Sequence, residues 1–211
     1  YRTGQGEGGA GIECIRARYV IGADGALSAI ARQELPDAGR VSYVFAYHEI
    51  VRSPRGLNPE SDQGGAPRFD ANRCDIYYDG RVSPDFYAWV FPHGDTTSIG
   101  TGSANKGFSL RSAVGEVRRS TGLESCETIR REGAPIPLRP LKRWDNGRDC
   151  VVAGDAAGVV APASGEGIYY AMASGRLAAD SVSLAIATGD AKCLGLARKR
   201  FMKTHRRVFF I

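Results

Sequence analysis

The sequence predicts a mixed α/β (α+β) fold in which an antiparallel sheet is inserted between two strand–turn–helix units. Three observations carry this. Residues 150–153 (CVVA) form a short apolar strand that runs into a Gly/Ala-rich turn and then a helix. Residues 18–32 repeat the arrangement, with a buried strand, Asp24-Gly25 and a short helix. Between them, residues 41–138 break into short alternating runs separated by Gly/Pro/Asp turns, the pattern of an antiparallel meander.

Gly4, Gly6 and Gly9 spell G-x-G-x-x-G. The dinucleotide fingerprint needs an apolar strand before it and an amphipathic helix after it. Here Tyr1-Arg2-Thr3 precedes, and residues 12–18 alternate as a strand, so the glycines read as a flexible hairpin loop. Ser28 is placed to cap the helix that follows Asp24-Gly25. Taken alone, Asp24-Gly25 also suits a plain turn. Strands are predicted at 41–51, 74–79, 85–92, 96–102 and 128–138, a helix at 109–120, and an exposed Pro/Gly-rich loop at 53–73.

The chain is organised around residues 149–170. Between strand and helix stand Gly154, Asp155, Gly158, Pro162, Gly165 and Gly167, with alanine at half of the other places. So little side-chain bulk lets a large flat ligand approach the backbone. Asp155 stands at a strand's C-terminal end, where ligands of open α/β sheets bind. The helix beginning near Gly165 points N–H groups and a positive dipole end at the same place. A turn that only packs tightly would look similar. A second carboxylate at a strand end, Asp24, about 130 residues earlier, favours a shared ligand. Within the helix, Ile168, Met172, Gly175, Ala179 and Val182 recur at helical spacing, beside a thin face of Ala171, Ala173, Ser174 and Ala178.

Composition excludes several classes. The net charge is +5, without a basic run interleaved with aromatics, which speaks against nucleic acid. The 5 cysteines are scattered, with no C-x-x-C or Cys/His cluster, so neither a metal site nor a disulfide framework is expected. Reduced thiols fit a cytoplasmic protein. No apolar run approaches the roughly 18 residues of a membrane span. The last helix, 191–207, carries Arg198, Lys199, Arg200, Lys203, Arg206 and Arg207 beside Leu196, Phe201 and Met202. It suits either a solvated face or peripheral association with an anionic membrane. The chain opens without Met and closes on an apolar tetrapeptide, and a fragment of a longer protein is expected.

IGADGALSAIAR resembles the Asp-Gly motif of FAD-dependent oxidoreductases of the para-hydroxybenzoate hydroxylase type, and VVAGDAAGVVAPASGEGI resembles their Gly-Asp motif. YAWVFPHGDTTSIGTG resembles the Y-x-W-x-F-P…G-x-G signature of geranylgeranyl reductases. FAYHEIVRSP, REGAPIPLRPLKRWDNGRD and APASGEGIYYAM are similar to the bacteriochlorophyll-pathway members of that family. The likeness runs from about Tyr19 onward. The family's N-terminal G-x-G-x-x-G unit, its nearby Cys-containing segment and the C-terminal lipid-facing part are not matched.

The resemblance implies the back part of an FAD-binding Rossmann-like domain (1–39 and 141–190), an inserted antiparallel substrate-domain sheet (40–140) and the start of a C-terminal helical region (191–211). It implies NADPH-dependent saturation of C=C bonds in a geranylgeranyl chain, free or pigment-borne, with pigment-synthesis partners. The FAD-binding residues it implies are Asp24, Gly25, Gly154, Asp155, Pro162, Gly165, Glu166, Gly167 and Ile168. The substrate-binding residues it implies are Tyr87, Trp89, Phe91, Pro92, Gly100 and Gly102. Tyr87, Trp89 and Phe91 alternate, so they share one strand face and suit either an isoprenoid slot or ordinary core. Tyr87, His93 and Tyr169 are proton-donor candidates by residue type. An aromatic monooxygenase, an electron-transfer flavoprotein and a non-enzymatic binding fragment are the alternatives.

Overall fold

The computed structural model describes residues 15–54 and 69–209. They run β1 (Val20–Gly22), α1 (Ala29–Glu34), β2 (Tyr43–Arg52), β3 (Asp75–Tyr77), β4 (Ala88–His93), β5 (Thr96–Ser103), α2 (Leu110–Ser120), β6 (Thr128–Pro137), β7 (Cys150–Val152), α3 (Ile168–Thr188) and α4 (Leu196–His205). Short 3₁₀ turns lie at Ala38–Arg40, Gly154–Ala157, Ala191–Gly195 and Arg206–Val208. The Gly4/Gly6/Gly9 loop and most of the loop 53–73 lie outside the described residues.

The two strand–turn–helix units meet. β1 and β7 pair in parallel, with Gly22 opposite Val152. Their C-terminal ends, and so Asp24 and Asp155, open to the same side. Gly22 is required for this packing: a Cβ there would stand 2.8 Å from Ile30 Cγ2 of α1. β7, α1, α3 and α4 share one core, in which Trp144 and Phe201 are fully buried with ring centroids 5.1 Å apart. β1, expected as a buried strand, leaves Val20 and Ile21 exposed, because β7 alone flanks it among the described residues.

The antiparallel sheet has the order β3-β4-β5-β2-β6. One face packs on α2, where Ala113, Val114 and Val117 meet Val51, Ala88, Val90 and Ile99 in a second core. α2 is capped by Ser109, whose Oγ accepts from Ser112 N. Glu49 is buried at this interface. Burial opposes its ionisation, but hydrogen bonds from Tyr47, Arg118 and Arg131 outweigh burial and hold its carboxyl below the usual range.

Three sequence-predicted elements change. Residues 15–18 are not a strand, because no partner strand flanks them among the described residues; β1 begins at Val20. α3 begins at Ile168, not Gly165, because Gly165 takes φ +66° in the preceding turn. α3 packs through its thin face, as its sequence predicts: Ser174, Ala178, Ser181 and Ala185 are buried, whereas Ile168 and Met172 are exposed. Small side chains let the helix sit close to the Gly154 turn, and bulkier ones at those positions would hold it off. The last helix is interrupted, a 3₁₀ turn preceding α4, and Phe201 turns its apolar side into the core.

Candidate functional site: an aromatic cavity beside a glycine-rich turn

The five strands place one residue each in a cross-strand row. Ile76 lies opposite Trp89, Trp89 opposite Gly100, Gly100 opposite His48, and His48 opposite Glu132. The row lies on the face away from α2. Gly100 makes it possible: a Cβ there would come within 2.2 Å of Trp89 Cζ2 and 2.7 Å of His48 Cβ. The bare backbone of β5 lets the indole lie across it and donate from Nε1 to Ser98 Oγ at 3.1 Å. Gly102 gives the same clearance to Phe86.

This face bounds a cavity of about 590 Å³, lined by Ala46, His48, Phe86, Tyr87, Trp89, Phe91, Glu132, Gly133, Ala134, Ile136 and Gly165. Tyr87, Trp89 and Phe91 form one continuous aromatic row, with centroids 5.9 and 6.2 Å apart. Ala88 and Val90, the residues between, are in the α2 core. His48 bridges two strands: Nδ1 is 3.0 Å from Ser98 Oγ and Nε2 is 3.0 Å from Glu132 Oε2. Arg130 Nε holds the other oxygen of Glu132 at 3.0 Å.

At the cavity's far end stands the turn before α3. Tyr87 donates its hydroxyl to Ser164 O, and a Cβ on Gly165 would lie 2.9 Å from Phe86 Cζ. Glu166 Oε1 accepts from Tyr169 N, capping α3. The N–H groups of Gly167 and Ile168 find no acceptor among the described residues. Ser174 Oγ accepts from Gly154 N at 2.9 Å, pinning α3 to the Asp155 turn. Asp155 Oδ1 lies 3.5 Å from where a Gly167 Cβ would be. The Asp155 carboxylate accepts from its own backbone N–H and from no other described residue, and burial outweighs that bond and raises its pKa. A carboxylate with open lone pairs beside free helix N–H groups and glycine backbone can hold a ligand that presents hydroxyls to one and an anionic or carbonyl edge to the other.

Asp24 is differently engaged. Its oxygens accept from Ser28 Oγ (2.5 Å) and the amides of Ala29 (2.8 Å) and Ile30 (3.2 Å), so it caps α1. Burial opposes its ionisation, but these bonds prevail and lower its pKa. A narrow crevice connects this loop to the other carboxylate, with Ala26, Ser28, Asp155 and Gly158 among its lining.

Over 192 residues, 91% of this chain, the sequence is 54% identical to a geranylgeranyl diphosphate reductase of Rhodobacter capsulatus. The matched segment belongs to the geranylgeranyl reductase family. It is 39% identical over 175 residues to the Synechocystis geranylgeranyl diphosphate reductase, and 35% over 181 residues to a digeranylgeranylglycerophospholipid reductase of Methanoculleus marisnigri. It spans less than half of each relative: 46%, 40% and 42% of their lengths. No family model matches the chain. In fold, 92% of the chain superimposes on 49% of a geranylgeranyl bacteriochlorophyll reductase-like protein from Thermoplasma acidophilum, with TM-score 0.76 and 23% identity. A probable FAD-dependent monooxygenase of Pseudomonas aeruginosa, PqsL, shares the fold at TM-score 0.57 and 22% identity over 92% of this chain and 53% of its own.

Within this reductase segment the sequence-predicted residues separate into groups. Tyr87, Trp89, Phe91 and Gly165 meet at the cavity. Gly100 and Gly102 lie beneath its aromatic wall. Pro92 alternates to the opposite strand side and is not among the lining residues. Gly25 takes φ +80° in the α1 entry turn, and Pro162 lies in the loop before α3. The candidate donors disperse: Tyr87 is bonded to Ser164, His93 is exposed at the far end of β4, and Tyr169 is exposed on α3, 5.6 Å from the His205 ring. The sequence reading missed His48 and Glu132. They are 84 residues apart, and only the β2–β6 register joins them. Among the described residues there is no cluster of three or more His, Cys, Asp and Glu suited to a metal, and no helix long and apolar enough to cross a membrane.

Proposed function

We propose that this chain is the substrate-slot and rear cofactor-site portion of an FAD- and NADPH-dependent reductase that saturates C=C bonds of a geranylgeranyl chain, free or pigment-borne. The observation that carries the reading is the adjacency of two surfaces: the aromatic cavity ends at the same turn, around Gly165, that leads to the Asp155 carboxylate and the free N–H groups of α3. Names of the sequence relatives supply the chain type.

The residues present fit FAD. Asp155 would accept from ribityl hydroxyls, and Gly154, Gly165 and Gly167 leave room for a flat ring. Gly167 and Ile168 N–H would face its anionic edge, where the helix dipole favours negative charge. Glu166 would hold the helix start, and Asp24-Gly25 with Pro162 would shape the flanking turns. When bound, FAD supplies two-electron chemistry, taking hydride from NADPH and passing it to an alkene carbon. Tyr87, Trp89 and Phe91 would hold the tail by apolar contact and exclude water, with Gly100, Gly102 and Pro92 shaping the strand behind them.

We assign residues 1–39 and 141–190 to the cofactor domain, 40–140 to the substrate domain and 191–211 to a C-terminal helical region. With the apolar side of α4 buried, its basic side is the part suited to an anionic membrane surface. This fits a cytoplasmic protein working at the membrane beside pigment-synthesis partners.

The test is anaerobic incubation of the intact protein with NADPH, FAD and either geranylgeranyl diphosphate or geranylgeranylated pigment. Products heavier by multiples of two hydrogens are expected. Oxygen-dependent hydroxylation of an aromatic acceptor, with no saturated product, would replace this reading.

A further inference from the structure

The reduction adds one hydride and one proton across a double bond, so the slot must contain a proton source. From the geometry of the cavity wall we infer that His48 is that source, with Glu132 and Ser98 as its positioning residues; this rests on the alkene-saturation reading above.

The hydrogen-bond pattern fixes how His48 holds its protons. The Trp89 indole can only donate, so Ser98 Oγ accepts from it. The Glu132 carboxylate, held at its other oxygen by Arg130, can only accept, so His48 Nε2 carries hydrogen toward it. The neutral ring then accepts Ser98's hydroxyl hydrogen at Nδ1. The protonated ring donates from Nδ1 to the remaining lone pair of Ser98. Both ring nitrogens therefore have partners in either charge state. The imidazolium form also has a carboxylate 3.0 Å away to balance its charge. Such surroundings suit a group that gains and loses a proton in every cycle.

Location supports the same role. His48 and Glu132 both line the cavity, opposite Trp89 across Gly100. The histidine side chain is about a quarter exposed, at 26%, and Glu132 is more open, at 44%, which gives protons a route in from solvent. The buried Glu49 cluster with Arg118, Arg131 and Tyr47 lies on the α2 side of the sheet and does not face the ring. Among the described residues, no other side chain lining the cavity combines an exchangeable proton with this freedom, since the Tyr87 hydroxyl is committed to Ser164 O.

In the step itself, the alkene π pair forms a C–H bond by taking the His48 Nε2 proton. The other alkene carbon would receive the hydride that a bound, reduced flavin supplies, the cofactor losing two electrons as the alkene gains two. His48 is left neutral with its remaining hydrogen on Nδ1 toward Ser98 and its bare Nε2 against the Glu132 carboxylate; two facing acceptors disfavour this tautomer, so a solvent proton entering past Glu132 returns to Nε2 and restores the imidazolium.

The experiment separates the half-reactions in the FAD-loaded intact protein, using geranylgeranyl diphosphate and, separately, geranylgeranylated pigment. His48→Gln should reduce its flavin with NADPH at the wild-type rate. Reoxidation by the alkene should slow by about 100-fold or more, the scale of a lost general acid. In His48→Ala, added imidazole should restore reoxidation, and wild-type reoxidation should slow in D₂O. Glu132→Gln should lower the maximal reoxidation rate and leave the half-saturating substrate concentration unchanged. Wild-type reoxidation speed in His48→Gln overturns the assignment, as does equal loss of both half-reactions with no imidazole rescue. If the wild-type protein saturates neither substrate, the reductase reading itself fails, a result distinct from either.

Discussion

Tyr87 donates its hydroxyl to the backbone carbonyl of Ser164, 77 residues away in the chain. This bond ties the entry of β4 to the turn that precedes α3. Phe86 stacks on Tyr87 at 4.3 Å, and Gly165 leaves the space both rings occupy. The contact makes the aromatic cavity and the glycine-rich turn one continuous wall.

Trp89→Ala should therefore act on the slot. The indole is half-buried, stacks on Phe91 and donates to Ser98. Its removal should weaken substrate binding by about tenfold or more, the scale of a lost interface Trp. Flavin reduction by NADPH without substrate should be unchanged. The cost in stability should stay below the ~3–5 kcal/mol of a fully buried Trp. Stopped-flow flavin reduction beside a thermal melt checks both, and a mutant that melts early and reduces flavin poorly would make this face ordinary core.

Gly100→Ala tests the close approach directly. The new Cβ would stand 2.2 Å from Trp89 Cζ2 and 2.5 Å from Cε2, so the indole must move. We expect a loss of about 1–3 kcal/mol, as for overpacking, together with a blue-to-red change in Trp fluorescence as the ring enters water. Denaturant titration followed by Trp emission reads both, and an unchanged melt would mean that the sheet relaxes freely there.

Asp155→Asn should separate binding from folding. Burial holds this carboxyl above its ordinary value of 3.8. A raised folded-state pKa means a contribution to stability that is present below the unfolded value and is lost as pH rises through the folded one. The ionised group therefore opposes folding at neutral pH. The ligand-free variant should melt no lower than the parent at pH 7, and FAD affinity should fall by about 1–3 kcal/mol. Thermal melts and flavin titration decide it; undiminished FAD affinity removes Asp155 from the cofactor site.

Glu49 has the opposite sign. Its lowered pKa means stability present above the unfolded value, ordinarily 4.5, and lost as pH falls through the folded one. Glu49→Gln leaves Arg118 buried against a neutral partner and should cost about 3–5 kcal/mol. Urea unfolding between neutral and acid pH should show the parent losing stability below the unfolded value, with a flatter profile in the variant. Parallel profiles would place the acid sensitivity elsewhere.

Local chemistry by itself determined much of this protein. The Ser28 cap, the apolar strands ahead of Asp24 and Asp155, the Ser109-capped α2 and the period-two run Tyr87-Trp89-Phe91 are readable because each depends on neighbours within a few residues. Tertiary structure decided what those pieces do together. Parallel pairing of β1 with β7 brings the two carboxylate turns to one side, across about 130 residues of chain. The β2–β6 register sets His48 beside Glu132, and a one-residue slip would send either side chain to the α2 face. α3 packs by the thin face its sequence offers, and the structure shows what that face meets: Ser174 reaches the Gly154 turn while Ile168 and Met172 stay exposed. Hydrogen bonds at spacings of three or four residues are written in local sequence, whereas which strand lies beside which is settled by the burial of whole faces.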